Sequence, residues 1–345
     1  MRQNNIFLML LKVFFFSSIL VATSAVRAEL KVVTTIKPLH SLIANVMDGV
    51  GEPALIIEGS TSPHSFTLKP SHAKLLEEAD IIFWVGESIE TFMERPLESI
   101  VKNAEVVEFM EVESINKLKF REESIFEDHD DHDDHDDHDD HDDHDDHDDH
   151  DDHDDHDDHD DHDDHDDHSG HDHHGHAHGE FDAHIWLDPI NAKEMVHEIA
   201  HELGDLDPAN KNKYEANAQA TIQALNQLVI DIEKGINKDA KFVVFHDAYQ
   251  YFEERFGIRA AGALTLNTDV LPGAKQIADI QDVIKDRGIK CIFSEPQFNP
   301  KIITTIAKDT NIKTGVFDPL GANIDSNKDL YFKLIQNLGN ELKGC

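Results

Sequence analysis

The chain is poor in cysteine and in basic residues, and beyond its N-terminus it has no long apolar run. Its two cysteines, Cys291 and the terminal Cys345, permit at most one intrachain disulfide. In an exported protein an isolated pair favours that bond over two free thiols acting as metal ligands. Lys and Arg number 30 against 71 Asp and Glu, with no basic patch interleaved with aromatics, which argues against nucleic-acid binding. No run after the N-terminus is long enough to span a bilayer. No cysteine lies near the N-terminal cleavage site proposed below, so a lipidated N-terminus is excluded.

The charge is concentrated rather than spread. The formal net charge is −41, yet Asp128 to Asp172 holds 28 aspartates and no Lys or Arg. What remains is a mildly acidic globular protein, long enough for two domains. Arg2 opens a basic n-region, Ile6 to Val21 is apolar apart from Lys12, and Val26-Arg27-Ala28 offers small residues at −3 and −1. Residues 1–28 therefore read as a signal peptide cleaved after Ala28, with an uncleaved anchor as the alternative. The segment 128–178 is built from DDH repeats and a coda, SGHDHHGHAHG. A period of three makes no stripe on a helix, and adjacent aspartates repel, so a hydrated, disordered loop is expected.

Strand and helix signals alternate elsewhere. Strands are expected at 30–36, 53–58, 80–85 and 105–109, with helices at 38–47, 71–79 and 89–101. Phe181 to Leu187 returns to order, and Asp188-Pro189 starts a helix. Asp207-Pro208 reads as the start of a second one, some 28 residues long to 236, a stiff connector or else an ordinary amphipathic helix. Strands at 241–245, 258–266, 290–293 and 313–317 then alternate with helices at 248–256, 272–287, 300–308 and 329–342. The fold class is α/β, with parallel sheets covered by helices.

Three histidines sit where such sheets place ligands. His246 ends the apolar run KFVVFH, at the carboxyl end of a buried strand. His64 and His184 follow apolar segments and precede turns or helix starts in the same way. Neutral imidazoles suit zinc, copper and nickel, whereas manganese prefers oxygen. Asp318, in FDPLG at the end of its own strand, is a candidate fourth donor. His64 belongs to the first half and His246 to the second, so one ion would tie the halves together in a cleft.

The segments KPLHSLIA, SPHSFTLKPS, HIWLDP, FHDAYQYF, EPQF and DPLG, with the acidic histidine-rich insert, occur in an order that resembles the ZnuA family. These are periplasmic solute-binding components of high-affinity zinc ABC importers. The resemblance runs from about Leu30 to Cys345. It implies two βα lobes, each with a small mainly parallel sheet, joined by one long rigid helix, and zinc in the cleft between them. The expected division is 29–207 for the first lobe including the loop 128–178, 208–236 for the linker helix and 237–345 for the second lobe. It also implies His64, His184 and His246 as zinc ligands, Asp318 at the position that completes the site in manganese-binding relatives, and Cys291–Cys345 as the disulfide. Those relatives have Glu where this chain has His246, which favours zinc. Pro63 departs from the glutamate that some zinc members carry beside the first histidine. The implied role is capture of Zn2+ as transported ligand and its delivery to an inner-membrane ABC permease, by a monomer that is not an enzyme. A manganese or nickel binding protein and an adhesin-like metal binder are the alternatives.

His197 to Asp207, HEIAHELGDLD, also matches a metalloprotease pattern. Helical phasing puts Met195, Val196, Ile199 and Leu203 on one face and His197 and His201 on the other, as on a solvated surface. No methionine follows Met195, so no Met-turn exists. His40 and His72 read as structural, and Glu295 as a candidate to line the cleft. The DDH tract is expected either to gather zinc weakly or to be a neutral spacer.

Overall fold

The computed structural model describes residues 29–126, 180–266, 268 and 272–345. The expected signal peptide at 1–28 and the Asp/His tract at 128–178 lie outside the described residues. The remainder forms two four-stranded sheets, parallel throughout. The first is ordered β2-β1-β3-β4, from β1 (Val32–Thr34), β2 (Ala54–Leu55), β3 (Ile81–Trp84) and β4 (Glu105–Glu108). The second is ordered β6-β5-β7-β8, from β5 (Phe242–His246), β6 (Ala263–Thr265), β7 (Cys291–Ser294) and β8 (Lys313–Val316). In each, the chain reverses its direction of travel beside the first strand, leaving a crevice at the strands' carboxyl ends.

The apolar runs explain this arrangement. β5 is buried at every position because both faces are covered. Phe242 and Val244 join one core, while Val243 and Phe245 join a second one formed with Leu264, Ile280 and Ile303. The first core is continuous through both lobes, running from Val33 and Phe83 under the first sheet to Phe293 and Phe317 under the second.

Helix α1 (Lys37–Val46) starts with proline in its first turn, as expected. The helix expected to begin at Ser71 begins instead at Pro70: α2 spans Pro70–Glu78, and the Lys69 amide donates to His72 Nδ1 (3.2 Å) across its first turn. The single helix expected over 89–101 is broken. Glu90 lies outside helical dihedrals, and one oxygen of its buried carboxyl group accepts from the Val85 and Gly86 amides (2.7 and 3.2 Å). Only α3 (Glu94–Ser99) remains after a short turn.

Asp188 caps α4 (Pro189–Leu206), accepting from the Ile190 amide at 2.8 Å and from Arg255 Nε and Nη2, each at 2.7 Å. The expected helix start at Asp207-Pro208 is corrected. Asp207 closes α4, its amide donating to the Leu203 carbonyl, and its carboxylate accepts from Asn210 Nδ2 and the Tyr214 hydroxyl. The long helix α5 therefore spans Lys211–Gly235, 25 residues, or about 37 Å at 1.5 Å per residue. It packs against α4, α1 and the last helix, so it lies along both lobes.

The second lobe carries α6 (Gln250–Phe256), α7 (Ala274–Asp286), α8 (Lys301–Thr310) and α9 (Leu330–Glu341) around its sheet. Gly257 ends α6 in the left-handed conformation, φ 60°. Cys291 in β7 is disulfide-bonded to Cys345 just past α9, as expected. A strap from the first lobe crosses to the second: Ile125 bridges antiparallel to Gly262 beside β6. A Cβ at Gly262 would lie 2.6 Å from the Ser124 carbonyl, so this crossing requires glycine.

Candidate metal centre

The three expected histidines converge. His64 lies in the turn Pro63–Ser65 that follows β2, His184 precedes the turn into α4, and His246 is the last residue of β5. One ring nitrogen from each lies within 4.8 Å of the others. His184 and His246 are buried and His64 is half-buried. Among the described residues this is the one cluster of three or more potential ligands so placed.

Two carboxylates fix the rings. Asp182 Oδ1 lies 2.7 Å from His184 Nδ1, and the two Glu295 oxygens lie 2.7 and 2.8 Å from His246 Nδ1. A carboxylate only accepts, so each Nδ1 carries the proton and each Nε2 presents a lone pair. Those two Nε2 atoms are 3.3 Å apart. Two facing lone pairs at that distance repel unless a cation or a proton lies between them. Imidazole nitrogens bound to tetrahedral zinc at about 2.0–2.1 Å stand about 3.3–3.4 Å apart. The ring spacing therefore fits zinc without rearrangement of this pair.

Burial alone would lower the His246 pKa, but the adjoining Glu295 carboxylate, with smaller contributions from Asp247 and Asp182, holds it above the ordinary value. Behind it Arg121, from the crossing strap, donates to Asp247 (2.9 Å) and Glu253 (2.7 Å). Burial pushes the Asp247 carboxyl up to about 7 against the pull of Arg121. The cavity beside the histidines holds about 10 Å³ and is walled by Ile89, Trp186, Phe298, Pro319 and Leu320, with Glu295 and Gln297. That is room for about one water-sized sphere, a size suited to a single ion.

Asp318, expected as a fourth donor, is not among the clustered side chains. Its carboxylate accepts from the Leu320, Gly321 and Ala322 amides (3.1, 3.0 and 2.6 Å) and from Gln297 Nε2 (3.0 Å). It organises a loop instead. Glu295 lines the cavity as expected, but as the support of His246. His40 Nε2 lies 3.1 Å from the Pro53 carbonyl, and His72 stacks on Phe66, both structural. His197 and His201 are exposed on α4 while Met195, Val196, Ile199 and Leu203 are buried, as the phasing required. Asp182 and Arg121 join the site beyond the residues that the sequence singles out. The spacing Asp182-x-His184 was the available signal for the first, and nothing local marked the second.

The family described as "ZnuA: Zinc-uptake complex component A periplasmic" matches residues 32–345. The high-affinity zinc uptake system protein ZnuA of Brucella abortus is 49% identical over 316 residues, 91% of each chain. Its Yersinia pestis counterpart is 32% identical over 332 residues, 95% of each. Among solved structures, a crystal structure of ZnuA superposes with a TM-score of 0.66 at 20% identity, covering 90% of this chain and 98% of that one.

Proposed function

The chain belongs to the ZnuA family of periplasmic zinc-uptake components, and on that premise we propose that it captures Zn2+ between its lobes and passes it to an ABC-transporter permease in the inner membrane. The observation that carries this reading is the pair of Nε2 lone pairs 3.3 Å apart, each held by a carboxylate on the far side of its ring.

His64, His184 and His246 hold the ion, and a fourth position is left to water or to a residue outside this set. An all-imidazole donor set favours zinc over manganese. Asp182 and Glu295 set tautomer and ring orientation and make the nitrogens more basic. Residues 1–28 are the export signal, 29–207 and 237–345 the two lobes, and the helix α5, beginning at Lys211 rather than 208, is the link between them. The protein acts as a monomer. The apolar core common to both lobes opposes wide opening, so release depends on docking to the permease.

The test is metal analysis after dialysis against a weak chelator. Wild-type protein keeps one zinc equivalent and His246→Ala keeps none. Retention of a tight zinc by the alanine variant, or nickel or manganese in its place in the wild type, would overturn the assignment.

A further inference from the structure

Lys37 is buried at the start of α1 in the first lobe, yet its ammonium reaches into the second. Nζ donates to the Gly321, Ala322 and Ile324 carbonyls at 2.6, 3.1 and 2.6 Å. All three ammonium protons are thus taken by backbone oxygens of one loop. A buried lysine is rare, and this one fills a carbonyl cradle. The same loop is wound on Asp318 from within, through three backbone amides. Its first residues, Pro319 and Leu320, wall the metal cavity. The Pro319 carbonyl also accepts from Trp186 Nε1 (2.8 Å), and the Trp186 ring lies 5.3 Å from the His184 ring. Further along the same face of α1, Ser41 and Asn45 both donate to the Lys328 carbonyl (2.9 and 2.7 Å). The spacing of four puts all three side chains in one row.

Resting on the zinc-capture reading above, we propose that Lys37 is a positioning residue for metal retention: its ammonium latches the loop 318–324 across the lobes, so that Pro319 and Leu320 stay closed over the three imidazoles. The latch touches no metal ligand. It governs how fast the ion leaves, because a loop freed of its ammonium swings away from the cavity while the histidines stay in place.

The test compares wild type, Lys37→Met and Lys37→Ala in the full exported chain. Zinc dissociation is followed by transfer to an excess of a chromogenic chelator, and bound stoichiometry is measured separately. Both variants keep one zinc, and dissociation speeds up on the order of tenfold, with association changed little. Propylammonium, which fits the space vacated in Lys37→Ala, slows dissociation again, whereas tetramethylammonium, too bulky and without N–H donors, does not. A merely structural lysine would not give that amine-specific rescue. Unchanged dissociation, or faster dissociation that no primary amine restores, overturns the latch. If Lys37→Met does not fold, Lys37→Gln, which keeps polarity without charge, carries the same expectations. Wild-type protein without a tight zinc would instead overturn the reading of the site itself, and the latch with it.

Discussion

Replacing Glu295 by glutamine isolates what the buried carboxylate does for His246. The two side chains are nearly the same shape, and the amide oxygen still accepts from Nδ1, so the ring keeps its orientation. What is lost is the charge on a contact that now places two oxygens at 2.7 and 2.8 Å. A hydrogen bond to a charged group contributes about 1.5–3 kcal/mol, against about 1 kcal/mol for a neutral one. The expected loss is therefore about 1–2 kcal/mol of zinc affinity, or roughly 5- to 30-fold in Kd. Competition with a chelator of known affinity measures it, and stoichiometry should stay at one. The gap should also narrow as pH falls. Wild-type His246 has a raised pKa, so protons displace zinc from it first, while the glutamine variant holds its protons less tightly. An affinity unchanged within about twofold would refute the carboxylate's role as a charged support. Complete loss, matching His246→Ala, would show instead that Glu295 binds the metal itself.

Other outcomes can be checked independently. Burial pushes Glu90 up to about 7 from its ordinary 4.5, so the folded chain keeps a proton that the unfolded chain has lost. Stability from this group is full below about pH 4.5 and declines as pH rises to about 7, by an amount on the order of 3 kcal/mol. In thermal melts Glu90→Gln should gain on wild type at about pH 8 and not at about pH 4.5, and an equal difference at both would refute the assignment. Replacing Cys345 by serine opens a loop with a sequence separation of 54 and should remove up to about 4 kcal/mol in chemical denaturation. The metal centre lies elsewhere, so zinc stoichiometry should not change. Glu198→Gln should alter neither zinc affinity nor transport, and a loss of either would revive the HEIAH segment as a working site.

The strand-helix alternation and the three histidines were legible because each depends on local pattern. His246 ends an unbroken apolar run, and a buried strand that stops at an imidazole marks a sheet's carboxyl end. Asp207-Pro208 misled because an acid followed by proline is also a way to close one helix and turn into the next. Helix 89–101 failed because Glu90 spends its side chain on two backbone amides, a choice that no propensity records. The surroundings of Asp318 were illegible for a related reason: a place at a strand end says nothing of the three amides that bond its carboxylate. Lys37 was hidden most deeply. Its partners lie some 285 residues away, and nothing in KPLHSLIA distinguishes a latch from an ordinary surface lysine.

The row on α1 has a consequence for biogenesis. Tyr331 donates its amide to Ser41 Oγ across 290 residues of sequence, so the opening helix finds its final neighbours only when the closing one has arrived. A polypeptide threaded through a translocation channel from its amino end would stay pliant until nearly all of it had emerged. Truncation ahead of α9 should therefore leave a protease-sensitive remnant rather than a smaller stable protein.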